Sequence, residues 1–297
     1  MNLRIHLTVF AAFASAALFA QEKRPATVES TPVSRIETRN KNLDRGILGD
    51  HWWANRLVSR HNEIEKARGK VVDLVLLGDS IMHFWEQRHP DSWKKLTENR
   101  TVLNLGYAGD RTQHVLWRIN NGELDGYKAK CVVLMIGTNN NSFTNSNPEN
   151  VAVAIEDIVE KIRQHQPEAK IVLHPIFPRG SSPRSRHAEA RVRNDKTNEL
   201  LKKFAERDGK IVWMDFSDKL VDDTGWVPNS IMSDEIHPTS LGYDIWMETL
   251  EPVLTGSLNV TPHAPIKPED EAKSENGLGH RHCRWCRLLR RQSYANS

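Results

Sequence analysis

At 297 residues, with 38% hydrophobic and 27% charged positions, the chain can bury one generous core or two small ones, which excludes fibrous and disordered classes. Its 41 basic and 38 acidic residues nearly cancel, so overall charge gives no ground for a nucleic-acid partner. Three cysteines, Cys131, Cys283 and Cys286, are too few for a disulfide framework, and Cys131 lies in an apolar run where a buried thiol is the ordinary reading.

The N-terminus carries the first signal. Arg4 and His6 precede an apolar run from Leu7 to Phe19, followed by small residues and the polar Gln21-Glu22-Lys23-Arg24. This layout predicts a signal peptide over residues 1–20 and an exported protein, periplasmic or secreted. The run is too short to span a bilayer. Residues 21–49, rich in charge, Thr, Ser and Pro, read as a linker or loosely attached arm, and the folded domain is expected over 50–256.

Within that domain, apolar runs alternate with helical patterns. Val71 to Leu77, Thr101 to Leu105, Cys131 to Ile136, Ile171 to Pro175 and Ile211 to Phe216 are short and almost continuously apolar, as strands covered on both faces are. Between them, Val151, Ile155, Ile158, Val159 and Ile162 recur at helical spacing behind the Asn147-Pro148 start signal, and a second helix is expected over about Arg191 to Arg207. A last helix is predicted over Ser240 to Leu254. Such alternation implies right-handed βαβ crossovers and an α/β fold of three layers, α/β/α, around a five-stranded parallel sheet. Residues 257–297 turn to Pro, Gly and charge and read as a disordered basic tail. Its His280-Arg281-His282-Cys283-Arg284-Trp285-Cys286 stretch is a poor zinc site, because the arginines repel the ion; contact with an anionic envelope surface suits it better.

In an open α/β sheet, ligands bind beyond the carboxyl ends of the strands. There the sequence places Gly78-Asp79-Ser80, then Gly106-Tyr107-Ala108-Gly109-Asp110, then Gly137-Thr138-Asn139. A serine hydroxyl needs a base and an orienter to become a nucleophile. His237 follows the last strand, and Asp234, three residues earlier, can curl back to accept the imidazole Nδ1 proton. The backbone N–H groups of Ser80 and Gly109 and the side-chain amide of Asn139 are candidate donors to an oxyanion. His83, Trp85 and Trp226 are candidate pocket-lining residues, with Met232 beside them. His114, Trp117 and Arg118 share a helix and are not assigned to chemistry, and Trp117 is expected to pack on the sheet.

Gly78-Asp79-Ser80, Gly109, Gly137-Thr138-Asn139 and Asp234-x-x-His237-Pro238 stand in the order of the four blocks of the SGNH (GDSL) hydrolases, and the chain resembles that superfamily. Gly109 to Arg118, Asn121-Gly122-Glu123-Leu124 and the helix Trp52 to Ile64 resemble the catalytic-subunit group of intracellular platelet-activating factor acetylhydrolase. The resemblance implies a flavodoxin-like sheet, catalysis without metal or cofactor, and hydrolysis of short acyl esters, often acetyl. The signal peptide and basic tail depart from those cytosolic subunits, which favours a carbohydrate or small-molecule ester over a phospholipid acetylhydrolase or lysophospholipase. A non-catalytic carbohydrate- or envelope-binding module and a flavodoxin-like cofactor protein are the rival classes; the latter is weakened because neither a three-glycine fingerprint nor a phosphate-binding Lys-Ser/Thr loop is present. The sequence leaves the oligomeric state open, a homodimer included.

Overall fold

The computed structural model describes residues 26–35, 52–144 and 146–262. The expected signal peptide, most of the expected arm and the Arg-rich end of the tail lie outside these residues.

Five strands, β1 (Val71–Gly78), β2 (Val102–Gly106), β3 (Lys128–Met135), β4 (Lys170–Leu173) and β5 (Ile211–Trp213), form one sheet in the order β2-β1-β3-β4-β5, with every neighbour parallel. The order reverses between β2 and β3, so the carboxyl ends of β1, β2 and β3 meet at a switch point, the place where open α/β sheets bind ligands. Helices α1 (Trp52–Ala67), α2 (Ser80–Arg88), α3 (Pro90–Thr97), α4 (Thr112–Asn120), α5 (Thr138–Phe143), α6 (Pro148–His165), α7 (Ala188–Asp208) and α8 (Ser240–Pro252) make the connections.

The two faces of the sheet build two cores, as strand alternation requires. Val132 and Leu134 of β3 join a cluster with residues of α1, α4, α6 and α7, while Cys131, Val133 and Met135 join one with α2, α3 and α8. The strands are apolar throughout because both faces are covered. Burial pushes the Cys131 thiol up to about 12, so it stays protonated and inert.

Local chemistry sets the element ends. Asn147 accepts from Glu149 N at 2.8 Å and Pro148 occupies the first turn of α6, whereas Gly209 takes a left-handed φ of 65° to end α7. Gly106 closes β2 where α2 comes nearest: a Cβ there would stand 2.5 Å from His83 N. β5 stops three residues earlier than expected: Val212, Met214 and Phe216 keep the alternation into the core beneath α8, but pairing with β4 ends at Leu173 and Trp213. At the other end, α8 gives way after Pro252 to a short π turn over Val253–Ser257. Packing continues to Val260, which is buried and whose carbonyl accepts from Arg100 Nε at 3.2 Å, so the packed domain runs past residue 256.

Residues 26–35, within the expected arm, lie against the domain. Ser34 and Glu29 are buried, Val33 N donates to Gln113 O at 3.3 Å and Thr112 Oγ1 donates to Glu29 O at 2.8 Å. The polar composition that suggested loose attachment is satisfied here by hydrogen bonds to the start of α4. Among the described residues, no helix is long and apolar enough to cross a membrane.

Candidate active site

β1 ends at Gly78, and Asp79 caps α2 by accepting from Ile81 N at 3.0 Å. Ser80 is therefore the first residue of α2. Its N–H has no intrahelical acceptor, and the positive end of the helix dipole lies at its hydroxyl. Burial raises Asp79 to about 7, with the cap bond to Ile81 pulling the other way.

The loop from β2 to α4 accounts for its donors one by one. Gly106 N donates to Asn104 Oδ1 (3.0 Å), Tyr107 N to Gly78 O (3.1 Å), Ala108 N to His83 Nδ1 (3.3 Å) and Asp110 N to Tyr107 O (3.0 Å). Arg111 N donates to His114 Nδ1 (3.0 Å) and Thr112 N to Asn140 Oδ1 (3.1 Å). Gly109 N alone in this stretch has no acceptor among the described residues, so it is a donor held in reserve. Its φ of 73° is the left-handed conformation that only glycine adopts without strain.

Asn139 stands in the first turn of α5 and donates from Nδ2 to Asp110 O at 2.8 Å. One amide proton is spent on the loop and the second is free to donate elsewhere. The same loop is fixed from below. Asp110 accepts from Trp53 Nε1 at 2.8 Å and from Arg118 Nε at 3.0 Å, and Arg118 also reaches Glu123, Leu105 O and Gly78 O. All three charged groups are buried; the ion pairs and hydrogen bonds outweigh burial for Arg118, whereas burial outweighs them for Asp110 and Glu123 and holds both above the usual carboxylate range.

His237 approaches from the loop before α8. Its Nε2 is 2.8 Å from Ser80 Oγ and its Nδ1 is 2.6 Å from Asp234 Oδ2. Asp234 Oδ1 takes Ile236 N at 3.0 Å and His237 N at 2.8 Å. Burial opposes ionisation of Asp234, but the bonds from the His237 side chain and these backbone donors outweigh it and hold the carboxyl well below the usual range. An ionised Asp234 assigns the proton of His237 to Nδ1 and leaves Nε2 as the acceptor facing Ser80. Between them, Glu235 adopts φ 66°; its carbonyl accepts from Gly180 N at 3.1 Å, and the Ser181 and Ser185 hydroxyls bond its carboxylate.

Serine, imidazole and carboxylate thus lie in one hydrogen-bonded line beside unused N–H donors, a layout suited to acyl transfer. A family model, the GDSL-like Lipase/Acylhydrolase family, matches residues 76–245. The chain belongs to this family. Among similar proteins, human platelet-activating factor acetylhydrolase IB subunit alpha2 is 35% identical over 217 residues, 73% of this chain and 89% of that protein. The human alpha1 subunit is 31% identical over 222 residues, 75% of this chain and 86% of that one. In fold, the chain is similar to a GDSL-like lipase from Bacteroides thetaiotaomicron, at a TM-score of 0.55 and 20% identity over 69% of this chain and 99% of that one. The protein is an acylhydrolase of this family, with the expected α/β fold.

Several pocket assignments are corrected by the packing of this GDSL-like domain. Trp85 is fully buried, stacks on Trp246 with centroids 4.5 Å apart and donates to Ser92 Oγ at 3.0 Å, so it belongs to the core rather than to a pocket wall. Met232 is equally buried in that core. His83 is 2% exposed and lies under the loop from β2 to α4, where its Nδ1 accepts from Ala108 N, instead of lining an open cavity. Burial, then Arg56, Arg60 and Arg88, hold it neutral and far below the usual imidazole range. Trp117 packs with Trp53, Leu57 and Tyr107 rather than on the sheet. Trp226 lies near Gly180, the residue bonded to Glu235 of the His237 loop.

Sequence reading missed Arg179 and the role of Arg118. Arg179 is buried and bonds Thr138 Oγ1 at 3.0 Å, Ser142 Oγ and His187 Nδ1 at 2.9 Å, tying the helix of Asn139 to the loop that supports Glu235. A lone arginine after a proline carries no periodicity, so nothing in the sequence distinguished it from a surface residue.

Proposed function

We propose that the protein is an exported serine esterase that removes short acyl groups, acetyl above all, from carbohydrate or small-molecule esters. His237 Nε2 takes the Ser80 Oγ proton as the oxygen attacks the ester carbonyl carbon, and the ionised Asp234 stabilises the imidazolium. The carbonyl oxygen becomes an oxyanion that accepts from Ser80 N, Gly109 N and Asn139 Nδ2. Collapse expels the alcohol, which leaves with the proton from His237. Water, deprotonated by the same imidazole, then attacks the acyl-serine and releases the carboxylic acid.

The observation that carries this reading is the Ser80–His237–Asp234 line at 2.8 and 2.6 Å. The unspent Gly109 N–H supports the oxyanion assignment, and the N-terminal pattern of residues 1–20 supports export. Ser80→Ala is expected to abolish turnover of p-nitrophenyl acetate by the purified protein; undiminished turnover would refute the assignment.

A phospholipid substrate is the second reading, favoured by the acetylhydrolase name of the relatives. A panel varying acyl length and leaving group separates the two: preference for acetylated sugars supports the first, preference for an acetylated phospholipid the second.

A further inference from the structure

The segment 26–35 meets the domain at the loop that carries the free Gly109 N–H. The Arg35 guanidinium donates to Gly109 O and lies over the Trp52 ring at 5.4 Å. It covers the Gly109 Cα so closely that a Cβ would stand 2.7 Å from both of its terminal nitrogens. On the other side of the guanidinium's reach, Trp52 stacks on His83 at 5.9 Å, and His83 holds Ala108 N. The loop is thus gripped on both sides of Gly109, at the Ala108 N–H by His83 and at the Gly109 carbonyl by Arg35. The backbone contacts of Glu29 and Val33 with Thr112 and Gln113 anchor the segment that delivers Arg35.

We propose that the N-terminal segment is a working part of the active site, and that Arg35 is a positioning residue which fixes the Gly109–Asp110 peptide so that Gly109 N–H stays aimed at the oxyanion. This rests on the reading of Ser80 as nucleophile and Gly109 as oxyanion donor. A left-handed glycine flanked by loop can rotate about its own dihedrals at little steric cost. Each free rotation would turn the donor away from the place where charge develops, and preorganisation is what makes such donors effective. A charge-assisted bond to the carbonyl is about twice as strong as a neutral one, and it adds to the Asp110 N–H bond to Tyr107 O that holds the same peptide.

The test compares wild type, Arg35→Ala, Arg35→Lys and Ser80→Ala of the full chain on p-nitrophenyl acetate, with thermal melting of each. In Arg35→Ala, kcat is expected to fall by roughly 10-fold or more, as loss of aim at one oxyanion donor would give, while KM and Tm change little. Arg35→Lys should recover part of the loss, and added guanidinium ion should raise kcat of Arg35→Ala but not of wild type. Wild-type kcat in Arg35→Ala, or a loss matched by loss of folded protein and unmoved by guanidinium, would overturn the proposal. Turnover that survives in Ser80→Ala would instead bring down the nucleophile assignment on which it stands.

Discussion

At the scale of single residues, the site is a set of donors and acceptors with one partner short. Asn139 gives one amide proton to Asp110 O, at 2.8 Å, and the proposed mechanism gives the other to the oxyanion. Asn139→Ala should therefore lower kcat by about 10²–10³-fold, the cost of one oxyanion donor, with KM little changed. Steady-state kinetics on p-nitrophenyl acetate reads this directly; a fall in kcat/KM carried wholly by KM would move Asn139 from the oxyanion to ground-state binding. The meeting of Ser80, His237 and Asp234, and of Asn139 with the Gly109–Asp110 loop, was legible because these residues stand shortly after a strand or before the last helix, in short blocks of matching residue types. Their supports were not. Arg118, Arg179 and Arg35 act through partners 8, 41 and 74 positions away in the chain, and no local pattern encodes such reach.

At the scale of elements, apolar run length predicted the strands well because the sheet is covered on both faces. The ends failed where backbone pairing and side-chain burial part company. β3 begins at Lys128, where the charged side chains are solvated although the backbone already pairs with β1, and β5 ends at Trp213, where burial continues without pairing. Trp85 shows the same limit inside a helix. Three residues of α2 after Ser80, His83, Phe84 and Trp85, are aromatic in character, and only the helix phase separates them: Phe84 lies 5.1 Å from the His237 ring, while Trp85 points into the stack with Trp246 and Tyr243. Trp85→Ala should consequently cost about 3–5 kcal/mol of stability by leaving a cavity in that stack. Urea unfolding checks the magnitude, and kcat per folded molecule at low temperature should match wild type; a selective change in acyl preference without loss of stability would return Trp85 to the pocket.

At the scale of the whole molecule, a doubly covered sheet places three strand ends and one return loop around Ser80, and residues 26–35 pack against the same loop. The sheet order 2-1-3-4-5 brings the Ser80, Gly109 and Asn139 segments side by side, since β1 lies between β2 and β3. His237 must come from beyond β5 and cross the carboxyl edge, and the bonded loop from Arg179 to Ser185 braces its approach through Glu235. In the proposed mechanism the whole arrangement serves one activated hydroxyl, that of Ser80. Reaction of the intact protein with a fluorophosphonate, followed by peptide mass spectrometry, tests this most directly. The account predicts a single phosphonyl adduct per chain, on Ser80, absent from Ser80→Ala and slowed in His237→Ala; an adduct on another residue, or labelling undiminished in Ser80→Ala, would contradict it.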